Sequence, residues 1–154
     1  ALDVSIQAQI IDLLRSLKTR LNMSLLLISH DLSVLAEVCN RVAIMYAGKI
    51  VENSDVVSVF KQPIHPYTKG LIMAIPSMDK SESKILFSIP GKPPDLLSPS
   101  KGCRFQDRCP YVHQICREEY PDPTNCDGVA CHFVDEMKTI TGEELWGHLV
   151  GKST

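Results

Sequence analysis

Two groups of residues in this sequence have types and spacings that could do chemistry. The first is His30 in "SLLLISHDLS" (24–33), where an imidazole follows a continuous apolar run and precedes an aspartate. The second is a set of cysteines, Cys103, Cys109, Cys116, Cys126 and Cys131, gathered near the C-terminus while Cys39 stands apart. Ligands of open α/β sheets bind beyond the carboxyl ends of the strands, and an imidazole there can bond a phosphate oxygen or an attacking water. The plainer reading of His30 is a hydrogen-bonded histidine at a strand end. Among the cysteines, gaps of five, six and fourteen residues separate Cys103, Cys109, Cys116 and Cys131. Structural zinc sites usually carry close C-x2-4-C pairs, which this stretch lacks. Long, uneven gaps suit thiolates around an iron–sulfur cluster, yet spacing alone leaves iron–sulfur, zinc and disulfides all open. A zinc reading would recruit His113 and His132, and Cys39 reads as a small buried hydrophobe.

The elements that must position these groups follow from periodicity. Ile6, Ile10, Leu13, Leu14, Leu17 and Leu21 recur at steps of three and four, which predicts an amphipathic helix capped by Asp3 or Ser5. Leu25 to Ile28 read as a strand buried on both faces of a parallel sheet, and a helix opens after Asp31. "VAIMY" and "KIVE" predict two strands joined by a tight turn at Ala47-Gly48. Asp55 to Phe60 form a short helix, stopped by "QPIHPY", and residues 67–75 form another. Strand, helix, strand is an α/β pattern. The Pro-rich "IPGKPPDLLSPSKG" (89–102) reads as an extended linker strapped across the chain's own domain and anchored by Leu96 and Leu97. A boundary falls near residue 80, and there is no internal repeat.

Composition narrows the function classes. With 44% hydrophobic and 22% charged residues the chain can bury a core. A net charge of −2 supplies no global field for nucleic acid or an anionic membrane. The local basic residues Lys101, Arg104, Arg108 and Arg117 are diluted by Asp107, Glu118 and Glu119, and they read as offsetting the charge of a thiolate cluster. No apolar run approaches the roughly 20 residues of a membrane span. The start, "ALDVSIQAQ", has no secretory pattern, which favours a metal or cluster over a disulfide framework. It enters directly into patterned residues, so a piece of a longer chain is expected.

"ALD" (1–3), "LLLISHD" (25–31), "MYAGKIVE" (45–52) and "HPYTKGL" (65–71), with "IPGKPPDLL" and "GCRFQDRCP", occur in order. This set resembles the C-terminal portion of the ATP-binding subunits of oligopeptide, dipeptide and nickel ABC transporters. The resemblance implies the C-terminal part of an ABC-type nucleotide-binding domain (a P-loop NTPase-like parallel sheet with helices) over 1–79, followed over 80–154 by a Pro-rich linker and a small irregular Cys-rich extension. It makes His30 the switch histidine that contacts the γ-phosphate of ATP, and Asp3 the end of the D-loop at the interface between two subunits. It makes Cys103, Cys109, Cys116 and Cys131 ligands of a 4Fe–4S cluster, with Cys126 as an alternate and zinc as the alternative metal. ATP and Mg²⁺ would bind the intact subunit at the cytoplasmic face of the membrane. Its partners would be a second ATP-binding subunit, the permease subunits and, through them, a peptide-binding protein, with no nucleic acid. The phosphate loop, signature motif and Walker B strand are not found in these residues. "GHLVGKST" (147–154) has three residues between its glycines, where a phosphate loop has four. Alone, the chain is therefore expected to be inactive and to self-associate through exposed apolar surface. The rival reading is a free-standing iron–sulfur or zinc-binding module.

Overall fold

The computed structural model describes residues 4–75, 87–125 and 127–150. Asp3 and Cys126, singled out above, lie outside the described residues, as does the expected boundary near residue 80. Helix α1 (Val4–Arg20) forms where the periodicity places it. It ends in a Schellman turn: Asn22 takes φ +48, and the N–H of Met23 donates to the Lys18 carbonyl at 3.1 Å. Of the expected apolar face Ile6, Ile10, Leu13 and Leu21 remain exposed, while Ile11, outside that face, is buried.

The strand expected at Leu25–Ile28 does not form. Residues 23–29 have no regular structure, and Leu26 and Ile28 are 88% and 90% exposed. The physical reason is pairing: a parallel strand exists only through hydrogen bonds to neighbours. Among the described residues β1 (Arg41–Tyr46) and β2 (Lys49–Asp55) pair only with each other and with one bridge. The α/β character is thus carried by a small antiparallel hairpin. Tyr46 faces Lys49 across the two-residue turn Ala47-Gly48, both with positive φ, which suits the twist of a tight hairpin. Val42, Ile44 and Tyr46 point inward while Arg41, Ala43 and Met45 point out. Residues 128–130 lie along β2: the Asn53 N–H donates to the Gly128 carbonyl, and the Ala130 N–H to that of Val51. Gly128 takes φ +80, and a Cβ there would stand 2.7 Å from the Asn53 oxygen.

Asp31 and Asp55 cap helices α2 (Leu32–Val38) and α3 (Val56–Lys61) through their carboxylates. Helix α4 (Pro66–Met73) starts with Pro at its first position, where the missing N–H is harmless. Beyond it come α5 (Gln114–Glu118), α6 (Val134–Thr139) and α7 (Gly142–Val150). Residues from both halves share one core. Phe105 packs edge-on to Tyr46 (5.1 Å between centroids) and contacts Tyr67 and Trp146, while Val59, Met137 and Trp146 are fully buried. The strap crosses this core, but Leu96 and Leu97 do not anchor it: they are 64% and 94% exposed. Its anchor is Phe87 and Ile89, packed against the core, with Arg108 donating to the carbonyls of Ile89 and Pro90, both at 2.9 Å. Ile89, the first residue of the strap, and Phe87 just before it pack against this core, whereas Leu96 and Leu97 face water.

Candidate functional site

His30 sits where the extended segment 23–29 turns into α2. Ser29 Oγ accepts the Asp31 N–H at 3.0 Å, and the Asp31 carboxylate accepts the N–H groups of Ser33 and Val34. The Ser33 hydroxyl above all, helped by these backbone donors, holds that carboxyl below its ordinary value although desolvation works the other way. Asp31 is therefore the helix cap, and it fixes the backbone that carries His30. The imidazole is exposed at the edge of an open groove of about 1030 Å³ formed by residues 23–30, α2 and β1. A histidine so placed is held by its backbone while its ring stays available to a ligand.

The cysteines make a separate site. Cys103, Cys109, Cys116 and Cys131 line one cavity of about 10 Å³, together with His65, Phe105 and Gln106 among others. His30 is not among its lining residues. The sequence brings the thiols there by short local devices. The Cys103 N–H donates to the Cys116 carbonyl at 2.8 Å, and a 3₁₀ turn, Gln106–Arg108, leads into Cys109. The bridge of residues 128–130 to β2 delivers Cys131. Backbone at 102 runs so close to 116–117 that a Cβ on Gly102 would lie 2.3 Å from the Cys116 oxygen. Gly102→Ala is expected to push the Cys103 and Cys116 segments apart at about 1–3 kcal/mol, the usual penalty of overpacking. Chemical denaturation checks it, and unchanged stability would contradict this geometry.

Burial raises the Cys103 thiol and pushes Cys109 up to about 12, with backbone donors and the neighbouring thiols as lesser influences. Such thiols are neutral until something cationic binds. No Lys, Arg, Asp or Glu lines the cavity. Of the basic residues expected to offset a cluster's charge, Arg108 holds the strap and Arg117 faces Asp107 at 3.7 Å. Among the described residues no group of three or more His, Cys, Asp or Glu side chains is arranged to hold a metal ion. His113 instead stacks with Tyr111 and Phe133, and His132 Nε2 contacts the Glu119 carbonyl. In number and kind the four sulfur donors fit a thiolate-ligated cluster, which spreads its ligands more widely than one ion does.

Three residues of this region escaped sequence reasoning. Glu52 is 1% exposed, and its two carboxylate oxygens accept the N–H groups of Ile64 and His65. His65, also 1% exposed, caps α4 by accepting the Tyr67 N–H at Nδ1 and bonds the Ala130 backbone next to Cys131. Gln106 is buried on the cavity wall. His65-Pro66 has the form of a cap followed by a first-turn proline, a signal that was legible; for Glu52 and Gln106 no pattern exists.

Residues 51–116 match the family model described as "Oligopeptide/dipeptide transporter, C-terminal region". The chain is 46% identical over 143 residues to a dipeptide transport ATP-binding protein, DppD, of Caldanaerobacter subterraneus subsp. tengcongensis, covering 91% of this chain and 44% of the relative. It is 48% identical to the oligopeptide transport ATP-binding protein OppD of Salmonella typhimurium (79% and 36%). It is also 48% identical to DppD of Bacillus subtilis (80% and 37%). The chain thus spans less than half the length of these relatives.

Proposed function

We propose, for a chain that belongs to the oligopeptide/dipeptide transporter C-terminal family, that it forms the C-terminal part of an ATP-binding subunit that energises peptide import. The observation that carries the reading is the identity of 46–48% to ATP-binding proteins of dipeptide and oligopeptide transport. In this account the His30 imidazole contacts the γ-phosphate and orients the water that attacks phosphorus as ADP leaves. Asp31 and Ser29 hold the backbone that aims it. Asp3 couples the site to the second ATP-binding subunit. The phosphate-binding loop and the Mg²⁺ ligands come from the remainder of the subunit. The permease is then the membrane-embedded partner and the cytoplasmic face the place of work; no helix among the described residues is long and apolar enough to cross a membrane.

The large groove beside His30, with Leu26 and Ile28 exposed on its wall, supports a further expectation. Apolar surface of this kind drives association. The isolated chain should elute from gel filtration as a dimer or larger, and a monodisperse monomer would contradict it.

The four-thiol cavity supports a second role, a cysteine-ligated 4Fe–4S cluster with Cys126 as a possible substitute ligand and zinc as the rival occupant. When bound, such a cluster supplies metal–thiolate cross-links and a one-electron couple. This chain's own residues then do the rest: Glu52 and His65 fix the backbone beside Cys131, and the Gly102 contact sets Cys103 against Cys116. Metal analysis on anaerobically purified protein should find about four iron and four sulfide per chain with broad visible absorption. Stoichiometric zinc, or no metal, would overturn the cluster and leave the ATPase reading standing.

A further inference from the structure

The wall of the four-cysteine cavity also carries a side-chain amide, that of Gln106. Gln106 is 7% exposed, and its Oε1 meets no hydrogen-bond donor among the described residues. The residue is not loosely placed. Its own N–H donates to the Cys103 carbonyl at 3.2 Å, it opens the 3₁₀ turn that leads into Cys109, and it lines the same cavity as the four cysteines. A buried carbonyl oxygen without a donor is a costly arrangement to keep unless the side chain answers to something.

Ionised, metal-bound thiolates accept hydrogen bonds and donate none. With no Lys or Arg on the wall, such a centre depends on N–H groups. The backbone supplies several: Phe105 and Gln106 at Cys103, Tyr111 at Cys109, and Phe133 at Cys131, the last at 3.4 Å. The oxygen and nitrogen of a carboxamide exchange places by a half-turn about its last torsion. We propose that Gln106 is a side-chain N–H donor to the thiolate centre, its carboxamide turned so that Nε2 faces the sulfurs once they are ionised and hold metal. This rests on the reading of Cys103, Cys109, Cys116 and Cys131 as a cluster site. It gives the orphaned amide a function and the buried negative charge a partner.

Two substitutions separate the possibilities. Gln106→Leu removes donor and acceptor together; Gln106→Glu keeps size and acceptor oxygens but has no amide N–H. The wild-type chain and both variants are loaded anaerobically with ferrous iron and sulfide. Iron loss to a ferrous chelator is then followed by bleaching of the visible absorption. Both variants should lose iron about 10–100-fold faster than wild type, the usual consequence of removing an outer-sphere partner. Without iron, Gln106→Leu should unfold at a higher temperature than wild type, because the orphaned oxygen is gone. A residue that only fills space would not produce opposite signs in the two states. Wild-type iron-loss rates in either variant would overturn the proposal. If the wild-type chain takes up neither iron nor sulfide, the cluster reading fails first and the role of Gln106 falls with it.

Discussion

Replacing His30 with alanine in the full-length subunit is expected to slow ATP hydrolysis by about 10²–10⁴-fold, the range over which a positioned acid–base side chain contributes. The protein should stay folded, because the imidazole is exposed and the turn is held by Ser29 and the Asp31 cap instead. Nucleotide binding should persist, since the phosphate loop is untouched. Phosphate release measured beside ATP binding separates the two effects. Loss of binding with unchanged turnover per bound nucleotide would remove His30 from the reaction.

The second large effect is acid sensitivity centred on His65. Complete burial drives its pKa down from 6.5 to about 3, with the Ala130 hydrogen bond opposing only in part. The neutral ring is the one the fold needs, because Nδ1 must keep its lone pair to accept the Tyr67 N–H and cap α4. Unfolded, the same imidazole takes up a proton near its ordinary pKa. The stability it supplies is therefore complete above pH 6.5 and is lost as pH falls toward about 3. The slope approaches about 1.4 kcal/mol per pH unit inside that window. The carboxylates of Asp31, Asp55 and Asp127, all held below their ordinary value by hydrogen bonds, add their own loss further into acid. His65→Asn, which retains a capping acceptor that does not titrate, isolates the first part: denaturation against pH should be flatter for the variant just below pH 6.5. Parallel curves would contradict the assignment.

What could be read from the sequence was local. The hairpin, its Ala47-Gly48 turn, the helix opening after Asp31 and the helix after Pro66 each depend on residues a few positions apart and formed as expected, while Asp55, expected as the first residue of its helix, caps it instead. The failure at Leu25–Ile28 has the opposite cause. A strand buried on both faces is a property of its neighbours, and four apolar residues do not supply them. Leu96 and Leu97 misled for a related reason: hydrophobicity says that a side chain gains from burial, not that the chain passes a cavity able to take it. That four cysteines far apart in sequence line one cavity was implied by the family likeness, whereas the bonds that bring them there could not be foreseen. Glu52, a carboxylate buried among apolar strand residues, satisfies two backbone N–H groups twelve and thirteen positions on. Its role follows only from tertiary structure.

The central claim is that this chain supplies His30 to an ATPase whose phosphate-binding half lies in the rest of its subunit. The most direct measurement is phosphate release from ATP by three proteins: the chain alone, the chain joined to the remainder of its subunit, and the joined protein carrying His30→Ala. The account predicts turnover only in the joined protein with His30 intact. Hydrolysis by the chain alone, or equal hydrolysis with and without His30, would contradict it.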